Sequence, residues 1–200
     1  MTGRLIVLEG GEGVGKSTQS KLLAQMIRGT YGRTVVHTFE PGGTSEGLAL
    51  RQKLLHGDDV TPERELAWML EDRRLHVEQV IRPQLADGVV VVCDRFTPST
   101  LAYQGVARGL GIDDVEQRSA LATGGLEPDL VIVLDLPDDV AEARVAGERD
   151  RFERAGADFH AAVRQAYRDL APSRGWRVID ASGDPPDVFD RYWGLVQQLL

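Results

Sequence analysis

The chain has 200 residues, 42% of them hydrophobic, with 23 Lys and Arg against 31 Asp and Glu for a net charge of −8. That length and apolar fraction fit one domain, residues 1–200, with a proper core. The acidic balance argues against nucleic-acid partners. The longest apolar runs, Leu5–Leu8, Val89–Cys93 and Leu130–Leu134, are far too short to cross a bilayer, and no stretch reads as a leader.

Cys93 is the single cysteine, which excludes an internal disulfide and suits a reducing cytoplasm; its expected role is that of a small apolar residue in a buried strand. Leu5–Leu8 reads as the first strand. Lys16–Gly29 has helical spacing, with Leu22, Leu23, Met26 and Ile27 as its apolar face. Thr34–Thr38 is the second strand. Thr61–Ala86 reads as one long helix with Pro62 in its first turn. Val89–Cys93 and Leu130–Leu134 are continuous apolar runs, the signature of strands covered on both faces. Helices are expected over Asp113–Thr123, Asp138–Ala146, Ala157–Ala171 and Pro186–Leu200, with Arg177–Ile179 a short last strand. Strands alternating with helices imply a three-layer α/β fold: a doubly wound, parallel, five-stranded sheet. Ligands of such sheets lie beyond the C-terminal strand ends.

Between the first strand and first helix, Gly10-Gly11-Glu12-Gly13-Val14-Gly15-Lys16-Ser17 matches G-x-x-x-x-G-K-[ST], a phosphate-binding loop. Glycines let the backbone wrap an anion with successive N–H groups pointing inward, and the helix N-terminus adds partial positive charge. Lys16 is placed to reach the β- and γ-phosphates of ATP, and Ser17 to hold Mg²⁺, with Gly10–Thr18 as the ATP-binding segment. Asp94 and Arg95 follow the third strand on the same rim. Asp94 could order the Mg²⁺ shell or orient an acceptor, and Arg95 offers a bidentate fork for phosphate; a salt-bridged strand end is the plainer alternative. Residues 147–156 carry Arg149, Arg151 and Arg154 with little apolar periodicity. They read as a short lid that brings positive charge to a transferring phosphoryl group, or as a solvated charge run.

The chain resembles the thymidylate kinases of the phosphate-loop nucleoside-monophosphate kinase superfamily. The resemblance rests on the phosphate loop, EPGGT at Glu40–Thr44, LRQKLL at Leu50–Leu55 and EDRRLHVEQVIRP at Glu71–Pro83. It continues through DRFTPSTLAYQG at Asp94–Gly105, ATGGLEPDL at Ala122–Leu130, LDLPDDVAEAR at Leu134–Arg144 and ERDRFE at Glu148–Glu153. It implies transfer of the γ-phosphoryl of ATP to dTMP, with Mg²⁺, in a cytoplasmic homodimer. It further implies that Arg95 grips the dTMP phosphate and that Arg51 secures the same region. Arg73 would bond a thymine carbonyl, with Thr100 and Gln104 near the base. Tyr103 would pack under the sugar, and Glu12 would approach the sugar hydroxyl or a magnesium water. Gly13 stands where one branch of the family carries a loop arginine. The resemblance is therefore to the bacterial-type branch, in which lid arginines, here Arg149 and Arg151, supply that charge. Met69 occupies the position of a phenylalanine that stacks on thymine, Phe39 that of a usual arginine and Pro98 that of a usual aspartate. The Met69 exchange leaves a kinase of another pyrimidine monophosphate as the alternative; a regulatory ATPase is the further one.

Overall fold

The computed structural model describes residues 2–144 and 150–200. Five parallel strands run β1 (Arg4–Glu9), β2 (Val35–Phe39), β3 (Val90–Asp94), β4 (Leu130–Asp135) and β5 (Arg177–Asp180), in the spatial order β2-β3-β1-β4-β5. The helices are α1 (Lys16–Tyr31), α2 (Ser45–His56), α3 (Pro62–His76), α4 (Arg82–Ala86), α5 (Thr97–Thr100), α6 (Ile112–Thr123), α7 (Asp138–Arg144), α8 (Ala157–Arg174) and α9 (Pro185–Leu199). Wide, π-type helical turns at Val77–Ile81 and Leu101–Ala107 join α3 to α4 and extend α5. The expected doubly wound sheet is therefore present, and 62–86 is one continuous helical stretch.

Side-chain alternation along each strand divides the core in two. Ile6, Leu8, Val90, Val92, Ile132 and Leu134 face α1 and α9, where Leu23, Ile27, Phe189 and Tyr192 meet them. Leu5, Val7, Val91 and Cys93 face the other layer and pack on Val77, Ile81 and Phe96. On that same side Val131 and Val133 pack on Val163 and Tyr167 of α8. Both faces are covered, which is why these strands are apolar throughout.

Several boundaries differ from expectation. The first helix continues to Tyr31 and stops at Gly32, whose left-handed backbone (φ 62°) caps it. Met26 lies on its solvent side, while Gln19, Ser20 and Ala24 join Leu23 and Ile27 on the buried one. α8 runs through Pro172 to Arg174, because one lost backbone bond is outweighed by the burial of Tyr167, Leu170 and Ala171. α2 and the helical stretch Thr97–Ala107 have no counterpart in the sequence reading. Both contain a glycine, and at Gly47 any Cβ would sit 2.5 Å from Asp72 Oδ1. The seventh helix is described as far as Arg144; the expected lid begins among residues outside the description.

Candidate active site

The phosphate loop joins β1 to α1 at the C-terminal rim of the sheet. At Gly10 (φ 133°) a Cβ would lie 2.3 Å from the Leu134 carbonyl oxygen, so the loop passes β4 too closely for any side chain. Gly13 and Gly15 also hold left-handed backbone, at φ 74° and 91°. Val14 turns its side chain into the core, so only its backbone is available to a ligand. Lys16 folds back over the loop, and its ammonium donates to the Gly11 carbonyl at 2.5 Å. Burial and Arg95 push its pKa down, against the opposing pull of Glu12 and Asp94. Ser17 Oγ donates to Asp94 Oδ2 at 2.6 Å, which brings the loop hydroxyl and the β3 carboxylate together as the sequence anticipates.

Arg95 adopts left-handed backbone (φ 73°), rare for a side-chain-bearing residue and a sign of strain held by its surroundings. Its backbone N–H is anchored on the Leu8 carbonyl. Its guanidinium donates to Glu12 Oε1 at 2.5 Å, the Gly10 carbonyl at 3.1 Å, Ser99 Oγ at 3.0 Å and Tyr103 Oη at 3.2 Å. Tyr103 also donates to Glu12 Oε1 at 2.8 Å. Burial alone would raise the Glu12 pKa; Arg95 and then Lys16 override it and hold the carboxyl down at about 2. Glu9 lies beneath, fully buried, accepting from Phe96 N–H (2.7 Å), Ser99 Oγ (2.6 Å) and Tyr167 Oη (2.8 Å). Burial raises its pKa, with Arg95 opposing.

From the loop a cavity of about 750 Å³ extends between α2, α3 and Phe152. Met69, Tyr103, Gln104 and Arg51 lie on its wall. Arg51 is steadied by a 2.7 Å bond to the Pro41 carbonyl and by the Phe39 ring 5.4 Å away. Arg73 and Thr100 stand behind this wall. Arg73 donates to Glu40 Oε2 at 2.8 Å and to Thr100 Oγ1 at 2.7 Å, while His76 Nδ1 binds the other Glu40 oxygen at 2.9 Å. The pair fixes the 40–44 loop, and Asp72 Oδ1 accepts from Gly42 N–H at 2.9 Å.

Arg149 lies outside the described residues. Arg151 is buried and turned to α3: it donates to Glu65 Oε2 at 2.7 Å and to the Leu54 carbonyl at 2.8 Å, and is absent from the cavity wall. Sequence reasoning passed over Lys21 and Arg144, which face the cavity near the loop, and the buried carboxylates Glu9, Glu40 and Glu65. Lys21 follows Lys16 by five residues on one helix, a signal that was available; the carboxylates have partners too far along the chain to be read.

A family model described as Thymidylate kinase matches residues 8–191. The chain is 50% identical to the thymidylate kinase of Synechococcus sp. strain JA-2-3B'a(2-13), over 98% of this chain and 95% of the relative. It is 49% identical to that of Synechococcus sp. strain JA-3-3Ab (98% and 96%) and 47% identical to that of Leifsonia xyli subsp. xyli (90% and 88%). With the phosphate loop, the Asp94–Arg95 rim and the cavity in place, the match along the whole fold makes this chain a member of the thymidylate kinase family.

Proposed function

We propose that the protein transfers the γ-phosphoryl group of ATP to dTMP, giving dTDP and ADP. The observation that carries the reading is the continuity of one cavity from Lys16 and Ser17 past Arg95 to Met69 and Gln104. A donor's phosphates and a nucleotide acceptor can share it. In this reading the loop N–H groups of Gly10–Thr18 and Lys16 hold the ATP phosphates. Arg95 exchanges Glu12 for the acceptor phosphate, Arg51 assists, and Tyr103 lies along the sugar. Arg73 acts on the base side and keeps Thr100 in place.

Ser17 and Asp94 offer two hard oxygen donors 2.6 Å apart at the loop. Among the described residues no cluster of three or more metal-binding side chains occurs, which suits Mg²⁺ held largely by water and phosphate. When bound, Mg²⁺ neutralises charge on the β- and γ-phosphates. The acceptor phosphate is dianionic near neutral pH, its second pKa being about 6, so no general base is required. His37 and His76 stay structural. Arg149, on a lid of about residues 147–156, supplies charge to the transferring group. Arg151 roots that lid and reaches the phosphates only by leaving Glu65. A cytoplasmic homodimer belongs to the same reading, and sedimentation tests the dimer.

The experiment is ADP release with ATP·Mg²⁺ and a panel of dTMP, dUMP, dCMP or no acceptor. Release that depends on dTMP is expected. Equal release without acceptor would leave a plain ATPase. Met69 at the stacking position favours a second reading, a kinase of another pyrimidine monophosphate, and a tenfold preference for a different acceptor would establish it.

A further inference from the structure

Glu65 lies in the first turn of α3, among the acids that follow the Thr61 cap. In the fold it is 1% exposed. Arg151 donates to Oε2 at 2.7 Å and Arg108 at 3.1 Å, while Arg108 Nε reaches Oε1 at 3.3 Å. The fourth donor is Gln104 Nε2, at 2.8 Å from Oε1. Two arginines thus pin the carboxylate, and it has no freedom to turn from the amide.

A carboxylate flanked by two guanidinium groups can only accept hydrogen bonds. Gln104 must therefore present its NH₂ to Glu65, which leaves its Oε1 on the other side of the amide. Gln104 is 1% exposed and lies on the cavity wall, and no donor among the described residues reaches Oε1. An amide oxygen so placed is an acceptor waiting for a partner from the cavity.

We propose that Glu65 is a positioning residue that selects the pyrimidine. By fixing the Gln104 amide with Oε1 toward the ligand, it favours a base whose N3 carries a proton, thymine or uracil, over cytosine, whose N3 is itself an acceptor. The inference rests on the reading that the acceptor's base occupies the Met69–Gln104 end of the cavity. A free glutamine could flip and satisfy either base; a clamped one leaves two acceptors facing each other when cytosine enters. The same carboxylate that orients the base contact also pins Arg151.

The test is kcat/KM for dTMP and for dCMP in the wild-type enzyme, in Glu65→Gln, in Gln104→Met and in the double variant. The amide introduced by Glu65→Gln can offer either its oxygen or its nitrogen to Gln104, and so releases the flip. The dTMP/dCMP ratio should fall at least tenfold in each single variant, with dCMP gaining in absolute kcat/KM in Glu65→Gln, and no further in the double variant. A merely structural role would lower both substrates alike and keep the ratio, which would overturn the proposal. If Glu65→Gln does not fold, Glu65→Asp keeps the anion for the arginines and withdraws it from Gln104; an unchanged ratio there, or in Gln104→Met, overturns it equally. A wild-type enzyme inactive on both acceptors sinks the functional reading with it. A selective wild type whose variants stay selective sinks the Glu65 proposal alone.

Discussion

Replacing Arg95 by methionine removes a cation while keeping bulk. The guanidinium satisfies Glu12 at 2.5 Å, and under the proposed function an incoming acceptor phosphate would displace that anion rather than find Arg95 idle. Without Arg95, the phosphate would meet Glu12 with Lys16 and the Tyr103 hydroxyl left beside it. Two unit charges about 4 Å apart at an effective dielectric near 20 repel by about 4 kcal/mol. Water screens part of this, because the Glu12 side chain is 26% exposed. A net loss of about 2–3 kcal/mol in acceptor binding is expected, a rise of roughly 30- to 150-fold in KM for dTMP. Adding Glu12→Gln to Arg95→Met removes the repulsion and should recover about tenfold of it. ADP release across a dTMP series at saturating ATP measures both. A KM for Arg95→Met within about threefold of wild type, or a double variant worse than the single one, would refute the picture of Glu12 and phosphate as competitors for one cation.

Lys16→Ala should lower kcat by about a thousandfold or more with the fold intact by circular dichroism; near-normal turnover would refute its place on the donor phosphates. Gly10→Ala should destabilise by at least about 3 kcal/mol in urea unfolding, since its Cβ meets the Leu134 carbonyl, whereas Gly29→Ala, in α1 with open space around it, should stabilise by about 0.5–1 kcal/mol. Arg151→Ala breaks a buried pair and should cost about 3 kcal/mol in stability. Unchanged melting with a lower kcat would instead place it on the phosphates. Burial first, then Glu40, raises the Asp72 pKa to about 6, against the Gly42 N–H, His76 and Arg73. The folded state then holds a proton that the unfolded state has lost between roughly pH 4 and 6, so stability falls as pH rises through that window. Asp72→Asn escapes this and should gain on wild type across the same window by at most about 3 kcal/mol, level above it. A gap independent of pH in urea midpoints would contradict the shift.

The phosphate-loop side of the candidate site was legible because its pattern is local: the loop, Lys16 and Ser17 are contiguous, and Asp94–Arg95 follow a plain apolar run, so their meeting at the rim could be read. β1, β3 and β4 were legible for the same reason, each a short apolar run buried on both faces. α2 was not, because Gly47 and a mixed polar face hide it, and its glycine answers to Asp72, 25 positions on along the sequence. Glu65 was invisible in principle: its partners lie 39, 43 and 86 residues away. Arg151 shows the same limit from the other side. Its position in a charge run suggested a mobile cation, and only tertiary packing reveals a buried one. Arg73 and Thr100 were placed near the base by resemblance, and the fold sets them one layer behind the cavity wall.

The left-handed backbone at Arg95 bears on how this chain can be engineered. A glycine there would relax the turn by about 1 kcal/mol. The same exchange discards the guanidinium that Glu12, Gly10, Ser99 and Tyr103 share. Backbone comfort and side-chain pairing therefore pull this position in opposite directions, and the pairing outweighs the strain. A stabilisation campaign that replaces left-handed residues by glycine wherever they occur would therefore lose at this position, and Arg95 belongs outside its list.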